Sequence, residues 1–221
     1  MRLAEMINEQ LYETIVDRVK IEKDMLDKSD GDRLIPFIED AILDAVDVTT
    51  VLRLICVHSL TSGGLKTTIL ASYRKLVMQS YGVEAVNRML KMQKMGLLRE
   101  KSGSGKLNCD RLPFNFPLMK KTYELLVDEV KESDRSNSAY AYSGYCSLLV
   151  RMLTEGDRVK WVDWKKDGEH GGLDDDRTAV FVVGGVTRGE LALIKQLPNI
   201  SLVLTSALVT GNNMVENLTR I

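Results

Sequence analysis

Thr178-Ala-Val-Phe-Val-Val-Gly-Gly-Val-Thr-Arg-Gly-Glu-Leu-Ala-Leu-Ile-Lys-Gln-Leu-Pro-Asn-Ile-Ser-Leu-Val-Leu-Thr205 decides the fold of the second half of this 221-residue chain. The apolar, β-branched run Ala179 to Val183, bounded by Gly184 and Gly185, reads as a strand buried on both faces. Thr187 stands three residues before Glu190, the spacing of a capping box, and Leu191, Ile194 and Leu197 recur at helical spacing until Pro198. Ile200 to Leu204 is a second apolar run. Strand, short helix, strand in that order predicts a parallel βαβ unit. Two strands do not make a stable, doubly covered sheet, so neighbours are expected from elsewhere in the chain, from another chain or from a longer protein.

Outward from that stretch, the chain divides by composition. Its length suits one large or two ordinary domains. With 44% hydrophobic and 28% charged residues it has the make-up of a soluble globular protein. Cys56, Cys109 and Cys146 form no CxxC pair, which predicts reduced thiols in the cytosol and no metal site. The first ten residues lack the apolar core of a signal peptide, and no run approaches the roughly 18 apolar residues that span a bilayer. The net charge is −1, unevenly spread: residues 1–50 hold 13 acidic against 6 basic side chains, and residues 65–106 hold 9 basic against 2 acidic. Such asymmetry points to directed surface contacts.

The N-terminal part is expected to be helical. Leu3, Met6, Ile7, Leu11, Ile15 and Val19 mark one amphipathic helix, and Ile35, Ile38, Ile42 and Ala45 the inward face of a second. Thr49 or Thr50 would cap a third, Val51 to Leu60, apolar on nearly every side and therefore buried, with His58 as a hydrogen-bonded core residue. Helices from Leu65 to Ser80 and Val83 to Met95 follow, separated by Gly82 as left-handed cap and stopped by Gly96. Leu97-Leu98 would open a β-wing with a flexible tip at Ser102 to Gly105. Pro113 to Pro117 reads as an extended brace, Leu118 to Lys131 as a helix, 131–138 as a connector, Tyr140 to Leu153 as a helix on the sheet, and 156–177 as a surface excursion carrying Trp161, Trp164 and His170.

The outline of short helices, turn and wing with a basic last helix (Arg88, Lys91, Lys94) is that of a winged-helix module, which serves DNA binding in some proteins and protein contacts in others. Met89, Met92 and Met95 read as core or protein contact. Gly184-Gly185 invites a phosphate-loop reading, yet GxxxxGK[ST] and GxGxxG spacings are both missing, and close packing of strand and helix explains the glycines equally. No GxSxG elbow, Cys–His pair or buried carboxylate pair is present, so a binding protein is expected and no catalytic, cofactor or metal residue is assigned.

Several stretches together resemble the Sec/Munc (SM) family, and within it the vacuolar protein sorting-associated protein 33 group: Val51-Leu-Arg-Leu-Ile-Cys-Val-His-Ser-Leu60 with Ser62-Gly-Gly-Leu-Lys66; Tyr73-Arg-Lys with Gln79-Ser-Tyr-Gly82; Met95-Gly-Leu-Leu98; Tyr140-Ala-Tyr-Ser-Gly-Tyr145; and Val180 to Thr187. The resemblance implies a non-enzymatic subunit of HOPS- or CORVET-type tethering complexes that supports SNARE-mediated fusion and protein transport, with no cofactor. It implies that residues 1–135 are the later part of SM domain 3 and residues 139–221 the second piece of SM domain 2, the remaining domains being absent. It further implies docking to the α-solenoid of vacuolar protein sorting-associated protein 16 through Tyr73 to Val86, with Arg74, Val83 and Val86 at the contact, and weak or absent binding of SNAREs by this portion alone. A cytoplasmic protein, held through partners on late endosome, lysosome or vacuole membranes, is the expected setting. Val83 and Val86 are smaller than their counterparts in the family and are open to a core reading as well. The alternative is a winged-helix nucleic-acid-binding protein using residues 65–106.

Overall fold

The computed structural model describes residues 19–27, 34–101, 115–127, 138–142, 144–154 and 178–220. Apart from Val19 and Ser138, the helix expected over Leu3 to Val19, the wing tip, the connector and the surface excursion lie outside them, together with Cys109 and His170; Val19 is exposed instead of inward. The chain forms two compact units, residues 1–117 with 211–221, and residues 118–210.

The first unit is helical: α1 (residues 19–27), α2 (Leu34–Leu43), α3 (Val48–Thr61), α4 (Thr67–Tyr81), α5 (Val83–Lys94) and, from the far end of the chain, α9 (Gly211–Arg220). Its core is built as the apolar periodicities require. Ile38 and Ile42 of α2, Leu52 and Ile55 of α3, Tyr73 of α4 and Met92 of α5 are all fully enclosed. α3 buries Val51, Leu54, Cys56 and Ser59 on differing sides, as its all-round apolarity predicts. Its cap is Asp47, not Thr49 or Thr50: the Thr50 amide donates to Asp47 Oδ2 at 3.0 Å. Three neighbouring residues here can all cap a helix, and the start at Val48 selects the aspartate. α2 ends at Leu43, which leaves Ala45 exposed at φ +53 instead of inward.

α9 was not marked by any strong run in the sequence. It packs on α3 and α5, burying Val215 and Thr219. Asn212 Nδ2 donates to Thr50 Oγ1 at 3.1 Å, Arg88 Nε to Thr219 Oγ1 at 2.9 Å, and Lys91 Nζ to the Thr219 carbonyl at 3.1 Å. Residues 211–220 therefore belong with the helices rather than with the α/β region that precedes them. The described residues do not form a winged-helix hairpin: Leu65 and Glu100 make an isolated parallel bridge.

The second unit holds α6 (Phe116–Thr122, which begins in the first unit), a 3-10 turn (Ser138–Tyr142), α7 (Leu148–Thr154), β1 (Thr178–Val182), α8 (Arg188–Ile194) and β2 (Ile200–Thr205). β1 and β2 pair in parallel, with Phe181 opposite Leu204, and the expected βαβ order is present. The capping box forms: Glu190 N–H donates to Thr187 Oγ1 at 3.2 Å and Thr187 N–H to Glu190 Oε2 at 2.9 Å. Ala139, Cys146, Val150, Leu193 and Ile194 make a small core. α8 buries Leu193 and Ile194, a shift from the expected Leu191 and Leu197, because it ends at Ile194.

The strands are not buried on both faces. Val203 packs on the small core while Leu202 and Leu204 beside it are half exposed, and Phe181 is 66% exposed. Alternation of side chains across a strand puts one face on α7 and α8 and leaves the other open. Three further expectations are corrected. Phe116 and Pro117 open α6 rather than an extended brace, and α6 stops at Thr122, where Glu124 takes φ +46 and Leu126 bridges Tyr145. Tyr140 to Leu153 is broken at Gly144, whose φ is +114 and where a Cβ would lie 2.9 Å from the Val127 carbonyl oxygen.

Candidate docking site

The α4–α5 corner carries the three residues singled out in the sequence. α4 buries Leu70, Tyr73 and Val77, one helical stripe, and α5 answers with Ala85, Met89 and Met92. Gly82 joins them at φ +79, its N–H donating to the Met78 carbonyl at 3.1 Å. A Cβ at Gly82 would meet nothing within 4 Å, so glycine is needed there for conformation and not for space. Below the corner, the Tyr81 hydroxyl donates to the Val46 carbonyl, and burial, then the nearby Asp47 charge, raises the tyrosine's pKa. Deeper still, His58 Nδ1 and the Tyr73 hydroxyl lie 3.0 Å apart. Burial, followed by Glu39, pushes the Tyr73 pKa up. His58 is thus a hydrogen-bonded core residue.

Val83 and Val86 have different surroundings. Val83, the first residue of α5, is 62% exposed, whereas Val86 is half-buried against the helical core. Arg74 is half-buried and donates through its Nη2 to Gln93 Oε1, which ties α4 to α5; its Nε has no acceptor among the described residues. Leu90 and Met78, which the sequence reading passed over, are each 42% exposed. Leu90 lies seven residues beyond Val83, two helical turns along the same face. Its signal was available in the periodicity of α5, where the buried stripe Ala85, Met89, Met92 leaves Leu90 pointing away.

The basic face of α5 is largely occupied. Arg88 donates to Thr219 Oγ1 and, at 3.3 Å, to Thr49 Oγ1, and Lys91 donates to the carbonyl of Thr219. Cations at the C-terminal end of a helix such as α9 are favourably placed. These two donors bind protein groups of α3 and α9. Met89 and Met92 are core.

At Gly184-Gly185 the packing explanation of the glycines holds for the second: Gly185 has φ +133, and a Cβ there would lie 2.5 Å from Val209 Cγ1. Among the described residues, no group of three or more His, Cys, Asp or Glu is placed to hold a metal ion. No described helix is long and apolar enough to cross a membrane.

Comparison with known proteins covers both units. The model of the Sec1 family matches residues 1–217. Vacuolar protein sorting-associated protein 33A of Caenorhabditis elegans is 52% identical over 228 residues, covering 100% of this chain and 38% of that protein. The protein of the same name from Rattus norvegicus is 28% identical over 243 residues, covering 98% of this chain and 39% of that protein. Vacuolar protein-sorting-associated protein 33 homolog of Arabidopsis thaliana is 25% identical over 234 residues, covering 90% and 38%. The chain spans about two-fifths of the length of these relatives.

Proposed function

Because this chain belongs to the Sec1 family, whose pattern runs through residues 1–217, we propose that it serves vacuolar or endosomal protein transport as part of an SM protein of the vacuolar protein sorting-associated protein 33 group. It acts as a docking scaffold and not as an enzyme. Residues 1–135 are the later part of SM domain 3, and residues 139–221 the second piece of domain 2, of which 211–220 packs on the helices of the first unit. In this reading the chain joins HOPS- or CORVET-type tethering complexes by binding the α-solenoid of a vacuolar protein sorting-associated protein 16-like subunit. It supports SNARE-mediated fusion from there, and its place on late endosome, lysosome or vacuole membranes comes through its partners.

The observation that carries this reading is the exposed valine at the α4–α5 corner, in a chain similar along its whole length to a sorting-associated relative. Burying a whole valine stabilises by about 1.5–3 kcal/mol, so covering the 62% of Val83 that is exposed contributes about 1–2 kcal/mol. Replacing it by aspartate removes that term and adds the desolvation of an unpaired carboxylate. Val83→Asp is therefore expected to abolish co-purification with the solenoid while leaving the urea midpoint of the chain in place. Val86→Asp, in a side chain packed on the core, is expected to lower the midpoint as well. Retention of the solenoid by Val83→Asp overturns the docking assignment. Random duplex DNA serves as the control: a salt-dependent gel shift would favour the nucleic-acid alternative over residues 65–106.

A further inference from the structure

α9 is fastened to the helical unit largely by polar groups. Of its ten residues only Val215 and Thr219 are buried. The rest of its attachment is the bond from Asn212 to Thr50, the bond from Arg88 to the Thr219 hydroxyl and the bond from Lys91 to the Thr219 carbonyl, all of which water can replace. Asn212 Oδ1 is enclosed with no hydrogen-bond partner among the described residues, a cost that favours release. A groove of about 600 Å3 lies between α5 and α9, so the two helices are not closely packed along that side. A helix of this length is marginal in water by itself, and α9 that leaves its seat also unwinds.

The residues that lead into α9 are held in the second unit. There, Ser206 N–H donates to the Val182 carbonyl at 3.2 Å, Val186 N–H to the Ala207 carbonyl at 3.0 Å and Val209 N–H to the Val186 carbonyl at 3.0 Å. Gly184 N–H donates to Ser206 Oγ at 2.9 Å, and the Val209 side chain packs on Gly185. In the first unit, Gly211 lies against Arg53, so close that a Cβ would stand 2.7 Å from Arg53 Cδ. Thr210 alone separates the two sets of anchors. So short a tether keeps α9 at a high effective concentration over its seat, and it leaves little chain to absorb a shift of 206–209.

We propose that α9 is a releasable strap whose seating on α3 and α5 is coupled, through Thr210, to the hydrogen-bonded turn at 182–186. When 206–209 shift, α9 leaves and unwinds, and Arg88 and Lys91 lose their partners on Thr219. The state of the β1–β2 ribbon is thereby carried to the basic face of α5, whether or not the α4–α5 corner binds a partner. By reciprocity, loss of α9 loosens 206–209.

The test is native-state hydrogen exchange of the full chain, read at amides 215–220 of α9, at 206 and 209, and at 52–56 of α3. In the wild type, 215–220 are expected to exchange through a local opening, about tenfold or more faster than 52–56. Gly185→Ala, which displaces Val209 and puts a side chain at φ +133, is expected to speed 215–220 about fivefold with 52–56 unchanged. Ser206→Ala, which removes only the bond to the Gly184 amide, is expected to speed them about twofold. Inserting Gly-Ser-Gly-Ser after Thr210 is expected to abolish both effects, and Thr219→Val to speed 206 and 209. Exchange of 215–220 at the rate of 52–56 in every variant means that α9 opens only with the whole unit and overturns the proposal. So does a Gly185→Ala effect that persists across the insertion, or the lack of an effect from either substitution. If Gly185→Ala also strips protection from Val150 and Ile194, the second unit has unfolded, and Ser206→Ala with and without the insertion decides.

Discussion

Thr219→Val isolates the bond that fastens α9 to α5. Thr219 is 2% exposed, and its Oγ1 accepts from Arg88 Nε at 2.9 Å while donating to the Val215 carbonyl at 2.7 Å. Valine has the same branching and nearly the same volume and helix propensity, so the substitution removes the hydroxyl and little else. A hydrogen bond to a charged group contributes about 1.5–3 kcal/mol. Arg88 is half-buried and keeps its 3.3 Å bond to Thr49 Oγ1, and a buried methyl recovers part of the loss, so the expected cost is about 1–1.5 kcal/mol. With a urea m-value of about 2 kcal/mol/M, the midpoint drops by about 0.6 M. Arg88→Met alone should cost a similar amount, and the double variant little more than either, giving a coupling of about 1 kcal/mol. Hydrogen exchange along 211–220 should accelerate in each variant. Additive costs, or a Thr219→Val midpoint within 0.1 M of wild type, would show that α9 is held by Val215 and its apolar contacts alone.

Two further outcomes are expected. Burial pushes the Cys56 thiol from 9.0 up to about 11, so the folded state favours the protonated form. Its contribution is complete below pH 9 and is lost as the pH rises through 11, up to about 3 kcal/mol. The urea midpoint of the wild type should fall faster across that window than that of Cys56→Ala, and parallel curves would contradict the assignment. At Gly189, a Cβ would lie 2.2 Å from the Tyr142 hydroxyl, which now sits 3.0 Å from Thr187 Oγ1. Gly189→Ala should destabilise the second unit, yet stabilise it by about 1 kcal/mol in a Tyr142→Ala background, where only helix propensity remains. A stabilising effect in both backgrounds refutes the contact.

How much of this was legible in the residues depends on the range of the interaction responsible. The Thr187–Glu190 box and the Gly82 corner close within three or four positions, and both were readable. The periodicity of α3, α4 and α5 named most of the core. α9 was missed because its stripe is short and its partners, Thr50, Arg88 and Lys91, lie more than 100 residues earlier. Tyr140 to Leu153 looks helical locally, but pairing of Tyr145 with Leu126 wins the backbone at that point. At the α4–α5 corner, the family resemblance grouped Arg74, Val83 and Val86 without telling exposed from packed. That distinction rests on the roll of α5 about its axis, fixed by Met89 and Met92 beneath it.

The open face of the β1–β2 ribbon has a bearing on how long this chain lasts in a cell. Phe181, Val183, Leu202 and Leu204 present sticky surface, and the outward backbone groups of a two-stranded ribbon are ready templates for another strand. Copies that remain uncovered should clump in proportion to their concentration and draw chaperones or degradation.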